Sequence, residues 1–243
     1  MTKPQIFDAL LLLARPAAGK SEMIRYLKQT DPVTRRQRFH LGQIREIDDF
    51  PMLWTWFEED DLLTKMGYPR LHSDPAGYFL GNHLWDLLIR RICMEYQKSK
   101  RDDDPSDPQF TILIEFARGE EHGGWHQAFT NLSPEILERG AILYNQVSYP
   151  ESLRKNRQRF NPDRPDSILQ HGLTDEKMER LYQASDWNKV TAGQPDFLNI
   201  QGVAVPYVIF ENEDDVTTPG GEPLGRRLEE SLGKLWTKYQ ARF

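Results

Sequence analysis

The sequence has a single cysteine, Cys93, among its 243 residues. One cysteine cannot form a disulfide within the chain, which favours a reducing, cytoplasmic setting. The first residues show no secretory signal pattern, and no apolar run approaches the roughly 20 residues that cross a bilayer. The formal net charge is −6, which argues against binding a nucleic acid polymer through overall charge. The composition therefore predicts a cytoplasmic protein that binds neither membranes nor nucleic acid polymers.

Hydrophobic residues are also scarce, at 38% of the chain, whereas charged residues make up 28%. This balance suits a globular protein whose helices have large solvated faces. The sequence contains no internal repeat and no long low-complexity tract. A chain of this length can bury a sizeable core, and we expect residues 1–243 to form a single domain.

One stretch near the N-terminus carries most of the functional information. The apolar residues 9–13 precede it, and a helical pattern that begins with Met23, Ile24 and Leu27 follows it. The stretch itself consists of Ala14, Arg15, Pro16, Ala17, Ala18, Gly19, Lys20 and Ser21. Glycine lets the backbone approach an anion closely, and the first helical turn presents N–H groups without intrahelical partners. The pattern predicts a strand, an anion-binding loop and a helix; the alternative is an ordinary strand–helix turn.

The sequence Gly19-Lys20-Ser21 in this context resembles the Walker A motif of P-loop NTPases, with Ala14 where the strict motif has glycine. The resemblance implies that residues 14–21 bind ATP and that Mg²⁺ accompanies it. It also implies that Lys20 extends its ammonium group towards the β- and γ-phosphates and that Ser21 ligates Mg²⁺.

The rest of the chain alternates between strand and helix patterns. Strands are predicted at residues 5–14, 38–42, 109–116, 141–147 and 203–210. Helices are predicted at residues 19–29, 52–66, 78–98 and 222–242, with a further one that begins after Ser133. Such alternation predicts an α/β fold with a parallel sheet. The P-loop resemblance implies three α/β/α layers, a five-stranded, mainly parallel sheet and a helical lid.

Acidic residues follow the second predicted strand, at Glu46, Asp48 and Asp49. Ligands of open α/β sheets bind outside the carboxyl ends of the strands. These side chains are therefore candidates to hold or deprotonate the hydroxyl group of a substrate. The alternative is an acidic helix N-terminus that the helix dipole favours. The sequence leaves both interpretations open, and with them the choice among the three carboxylates.

The third predicted strand ends in Glu115, and Arg118 follows shortly after. An apolar strand that ends in a carboxylate resembles a Walker B segment, in which Glu115 would serve Mg²⁺ or act as a base. Arg118 is then placed to bind an acceptor phosphate or the transferring phosphoryl group. The alternative is a Glu–Arg ion pair on the surface.

Two other patterns also have alternative interpretations. His122 and His126 are four residues apart beside acidic residues, which suggests either a metal site or a flexible active-site loop. The adjacent Gly123 and Gly124 argue against a helix there. The aromatic cluster at residues 54–57 predicts either stacking on a flat substrate or packing in the core.

A basic helix follows the fourth predicted strand. It is similar to the lid region of nucleoside and nucleotide monophosphate kinases, whose arginines close over the phosphates. The resemblance implies a lid-like segment at about residues 154–190. It favours Arg154 and Arg157 first, which share a helix face, and then Arg159 and Arg164. The alternative is a solvated basic helix.

Together these patterns predict an ATP-dependent kinase that acts on the hydroxyl or phosphate group of a small molecule, such as a nucleoside or a nucleotide. Lys20, Glu115, Arg118, Arg154 and Arg157 are the predicted catalytic residues. The second hypothesis is a nucleotide-binding switch or regulatory module with slow or no hydrolysis. Such a module would use the same loop but would have no acceptor pocket.

Overall fold

The computed structural model describes residues 5–101, 109–159 and 172–243. Its six strands are β1 (Ala9–Ala14), β2 (Gln43–Asp48), β3 (Phe110–Phe116), β4 (Gly140–Gln146), β5 (Phe197–Ile200) and β6 (Val203–Glu211). They form one sheet in the order β2-β3-β1-β4-β6-β5. All neighbours are parallel except β5, which is antiparallel to β6. The prediction of an α/β fold with a mainly parallel sheet is confirmed.

The helices of the described ranges are α1 (Lys20–Gln29), α2 (Pro32–Phe39), α3 (Asp49–Lys65), α4 (His83–Arg101), α5 (Gly124–Thr130), α6 (Pro134–Arg139), α7 (Tyr149–Arg159), α8 (Asp175–Tyr182), α9 (Trp187–Val190) and α10 (Gly221–Gln240). A short 3₁₀ turn, Glu120–His122, precedes α5. Within these ranges, no helix is long and apolar enough to cross a membrane.

The apolar run that forms β1 is buried along its whole length. Leu11 and Leu13 pack into one hydrophobic cluster, and Leu10 and Leu12 pack into another. Because successive side chains of a strand point to opposite faces, the two clusters lie on opposite sides of the sheet. Helices therefore cover both faces, and β1, in the interior of the sheet, leads at its carboxyl end into the loop that precedes α1.

The sequence predicts five strands, but the sheet has six. The additional strand is β5, for which the sequence pattern gives no clear signal. Strands β5 and β6 form a tight hairpin whose two turn residues, Gln201 and Gly202, both have positive φ, at 52° and 82°. Asn or Asp before Gly is the usual signal for such a turn, and glutamine replaces it here. The strand itself is only four residues long.

The predicted strand at residues 38–42 is also wrong, since its first part belongs to α2. The Asp31 carboxylate accepts the backbone N–H groups of Val33 and Thr34, at 3.1 and 3.0 Å, and Pro32 occupies the first helical position. Asp31-Pro32 is a helix start signal, because aspartate is a favoured N-cap and proline is favoured at the first helical position. Strand β2 consequently begins at Gln43.

The glycines at 123 and 124 begin a helix rather than prevent one. The Asp186 carboxylate accepts the backbone N–H groups of Trp125 and His126, at 2.8 and 3.0 Å, at the start of α5. A Cβ on Gly124 would lie 2.4 Å from the Asp186 carboxylate, and the φ of Gly124 is 72°. Glycine is thus required by this close approach.

We expect Leu11→Ala and Leu12→Ala each to lower the free energy of unfolding by about 2–5 kcal/mol, because each leaves a cavity in a different cluster. Urea denaturation followed by circular dichroism measures the change. Leu80→Ala is the matched control, since Leu80 is 59% exposed, and its expected effect is within about 0.5 kcal/mol. A sheet with one solvated face would instead tolerate one of the two core substitutions.

Candidate active site around the P-loop

The loop between β1 and α1 is held in place through its carbonyl groups. The Ala18 carbonyl accepts hydrogen bonds from the side-chain amides of Asn145 and Asn212, at 2.8 and 2.9 Å. The Pro16 carbonyl accepts one from the Ser152 hydroxyl at 2.8 Å. In a trans peptide the N–H of the next residue points the opposite way. Fixing these carbonyls therefore turns the following amide N–H groups away from the protein side chains that hold the loop.

Gly19 occupies a position that only glycine fits. Its φ is 104°, and a Cβ there would lie 2.2 Å from the hydroxyl oxygen of Thr217. Thr217 is itself fixed, because its hydroxyl contacts the Asn212 amide and the Lys155 ammonium group at 2.9 and 2.8 Å. Buried polar side chains therefore pack directly against the loop.

A pocket of about 210 Å³, which we call the loop pocket, opens beside this loop. Residues 17–22 line one side of it, and Lys155, Gln158, Arg159 and Thr218 line the other. Lys20 and the two basic residues of α7 supply positive charge around backbone N–H groups. A helix N-terminus with cations beside it is a type of site that favours phosphate groups, and ATP binding by residues 14–21 stays a prediction.

The other predicted loop residues have different positions. Ala14 is the buried last residue of β1. The Arg15 guanidinium donates to the carbonyls of Tyr182 and Gln183, so its side chain ties the loop to the end of α8. Burial lowers the pKa of Arg15. Ala17, with a φ of 54°, lines the loop pocket.

The basic residues of α7 fall on two faces. Arg154 pairs with Glu151 and Asp215, and the exposed Arg157 pairs with Asp175. Neither lines the loop pocket, so the catalytic roles given to them stay predictions without positional support. Lys155, which also pairs with Asp215, and Arg159 are the basic α7 residues that line it. Arg164 and the rest of residues 160–171 of the predicted lid lie outside the described residues.

A second pocket, of about 440 Å³, adjoins the loop and shares Ala17, Lys20 and Ser21 with it. We call it the strand-end pocket, because Asp48 and Glu115 line it from the carboxyl ends of β2 and β3. The two residues are directly opposite each other in the parallel register. Glu46, in contrast, does not line this pocket and pairs with Lys28 of α1.

The Asp48 and Glu115 carboxyl groups lie close enough to influence each other's pKa. Burial and the nearby negative charges of Glu115 and Asp49 raise the pKa of Asp48 to about 8. Burial also raises the pKa of Glu115, while the positive charge of Lys20 opposes that rise. Asp48 is half-buried and Glu115 is buried. Because two neighbouring carboxylates in such a setting repel each other, one of them keeps its proton, so the pair carries a proton near neutral pH.

Arg118 and Asp49 form a buried ion pair at 2.6 Å, with Arg118 only 2% exposed. The guanidinium also donates to the carbonyls of Ala117 and Trp85, at 2.6 and 3.3 Å. Both members of the pair line the strand-end pocket. The surface interpretation of Arg118 is therefore wrong, and Asp49 serves as the counter-ion of Arg118.

His122 is buried and stacks on Trp85 with a centroid distance of 3.8 Å. Burial, with a contribution from the positive charge of Arg118, lowers the pKa of His122 to about 2, so the ring is neutral. His126 is exposed on α5. Among the described residues, no group of three or more His, Cys, Asp or Glu side chains could hold a metal ion. The alternative of a histidine metal site has no support.

The fit of Mg²⁺ to the pocket depends on its oxygen donors. Ser21 and Glu115 both line the strand-end pocket, as does Asp48. A hydroxyl and carboxylates are the ligand types that Mg²⁺ accepts, usually together with water and substrate phosphates. These residues are therefore the ones that would hold Mg²⁺ next to the loop.

Replacing Asp48 by Asn tests the shared proton. Folded Asp48 keeps its proton up to about pH 8, whereas in the unfolded chain it ionises above about pH 4. The unfolded chain thus binds fewer protons in this window, so Asp48 lowers stability as pH rises. Asp48→Asn removes this effect. We expect its free energy of unfolding at pH 8 to exceed that of wild type by on the order of a few kcal/mol, and we expect a much smaller difference at pH 4.

Urea denaturation at several pH values measures this difference. Asp175→Asn is the control, because Arg157 lowers the pKa of Asp175 and the carboxylate is exposed; it should gain no stability at pH 8. Equal pH slopes for wild type and Asp48→Asn would contradict the shared proton.

No protein-family model and no curated protein matches this sequence. Among solved structures, shikimate kinase from Bacteroides thetaiotaomicron is similar, with 15% identity and a TM-score of 0.45 over 94% of this chain and 98% of that chain. Shikimate kinase from Acinetobacter baumannii in complex with shikimate has 14% identity and a TM-score of 0.42, over 96% and 94%. Likenesses at this identity and score assign neither an activity nor a substrate to this chain.

Proposed function

We propose that this chain is an ATP-dependent phosphotransferase that acts on the hydroxyl group of a small molecule. The observation that carries the proposal is the strand-end pocket. It adjoins the P-loop through Lys20 and Ser21 and contains the Asp48–Glu115 pair. A nucleotide-binding switch needs the loop pocket alone, whereas a kinase needs a second pocket for its acceptor.

The loop pocket supplies the donor side of the reaction. The backbone N–H groups of the loop and the Lys20 ammonium group bind the β- and γ-phosphates. When bound by Ser21 and Glu115, Mg²⁺ would neutralise part of the phosphate charge. Arg159 lines both pockets and is therefore the α7 cation best placed to contact the transferring group.

The strand-end pocket supplies the acceptor side. The acceptor hydroxyl oxygen forms a bond to the γ-phosphorus as the bond from that phosphorus to the β,γ-bridging oxygen breaks, which releases ADP. The hydroxyl proton passes to the Asp48–Glu115 pair when the pair is ionised. Phosphoryl transfer requires little more than such positioning and charge stabilisation.

ATP turnover in the presence of candidate acceptors tests this proposal. We expect one class among nucleosides, nucleotides, sugars and hydroxy acids to stimulate ADP formation with matching phosphorylation of the acceptor. Lys20→Ala should reduce this turnover by about 100-fold or more, because it removes a charge that stabilises the transition state.

The control is Lys234→Ala, which removes an exposed lysine of α10 that pairs with Glu230 across one helical turn, and its turnover should match wild type. Slow phosphate release that no acceptor stimulates would instead favour the switch hypothesis. Unchanged ATP affinity and turnover in Lys20→Ala would contradict the P-loop role itself.

A further inference from the structure

The strand-end pocket has a wall of aromatic side chains that the proposed phosphoryl transfer does not use. We call this the aromatic wall; it consists of Phe50, Trp54, Phe57, Tyr78 and Phe79. All five side chains are only partly buried. The neighbouring Trp56, in contrast, packs in a hydrophobic cluster with Leu84 and Leu88. The aromatic sequence at 54–57 thus divides into a core residue and pocket residues.

The geometry of the helix explains this division. Phe50, Trp54 and Phe57 follow the i, i+4, i+7 spacing that places side chains on one face of α3. The Trp54 indole N–H donates to Glu58 at 3.0 Å, and the Phe57 ring meets the edge of Phe79 at a centroid distance of 5.4 Å. These contacts orient the rings and leave part of each one towards the pocket.

Apart from Lys20 and Arg159, which also line the loop pocket, the cations that line the strand-end pocket are largely compensated. Besides the buried Arg118–Asp49 pair, Arg70 pairs with Asp61 at 2.6 Å and Arg180 pairs with Glu121 at 3.1 Å. A substrate anion at Arg118 would have to displace Asp49, which would leave a buried carboxylate without its counter-ion, and that is strongly unfavourable. The carboxyl groups at the end of β2 and β3 would repel an anion as well.

Lys177 at the rim is the least compensated of these cations. Its ammonium group contacts the Gly77 carbonyl at 3.4 Å and lies 5.3 Å from the centroid of the Tyr78 ring. Burial lowers the pKa of Lys177 because it disfavours the charged ammonium form. Lys177 is therefore a poor binding site for an anion. The volume of about 440 Å³ lies within the range of sites for ligands larger than a simple polyol.

We propose that the acceptor is an uncharged alcohol that carries a flat ring system, as a nucleoside does. Its ring lies against the aromatic wall, and its hydroxyl group reaches the Asp48–Glu115 pair next to Lys20. This inference rests on the proposed phosphotransferase function and specifies its substrate class. Stacking on aromatic side chains tolerates different rings, so the wall selects a class of compound rather than one base.

Matched acceptors separate this class from the others. We expect nucleosides to stimulate ATP turnover with a kcat/KM at least about 10-fold above that of their 5′-monophosphates and of ring-free hydroxy acids and sugars. Trp54→Leu and Phe57→Leu should each raise the acceptor KM on the order of 10-fold, with kcat within about threefold of wild type, because the wall contacts the ring and not the reacting atoms.

Tyr68→Leu is the control, because it makes a similar change at an exposed aromatic residue outside the pocket; its KM and kcat should equal those of wild type. A preference for monophosphates, hydroxy acids or sugars would overturn the inference and leave the phosphotransferase function in place. So would an unchanged acceptor KM in both wall variants. ATP turnover that no acceptor stimulates would count against the inference and the proposed function together.

Discussion

The hydrogen bonds from two asparagine amides to one carbonyl, that of Ala18, set the shape of the site. They hold the loop with its carbonyls turned towards the protein, so that its N–H groups are available to an anion. Both asparagines are fully buried, and their bonds form where water cannot compete for them. Thr217 packs against Gly19 and fills the space that a side chain at position 19 would occupy. The geometry of the loop therefore depends on side chains outside residues 14–21.

The strand-end pocket follows from the sheet register. Parallel pairing places Asp48 opposite Glu115, and burial makes two adjacent carboxylates unfavourable, so that the pair shares a proton. The next residue, Asp49, begins α3 and compensates Arg118. One short sequence, Asp48-Asp49, thus provides a titrating group and a counter-ion, and α3 extends away from them along the same pocket with three of the five residues of the aromatic wall.

The sequence predicted the parts of this arrangement that depend on local pattern. The buried run of β1, the loop at residues 14–21 and the strand ending in Glu115 each follow from spacing and residue type. The sequence does not predict the hairpin at Gln201 and Gly202, because its turn lacks the usual residues. The roles of Asn145, Asn212 and Thr217 arise from contacts between distant segments, which no local pattern encodes. Likewise, the helical spacing groups Arg154 with Arg157, but only the tertiary fold decides which face of α7 meets the loop.

The asparagine contacts also bear on the order of assembly. Asn145 and Asn212 are 127 and 194 positions away from Ala18 along the chain. Contacts of such large sequence separation form only after extensive loop closure, which makes them slow to establish. The loop therefore takes its final shape only after β4 has paired with β1 and β6 has paired with β4. A nascent chain that has emerged only as far as α6 contains residues 14–21 in full but neither amide that shapes them, so the loop is completed late in biosynthesis.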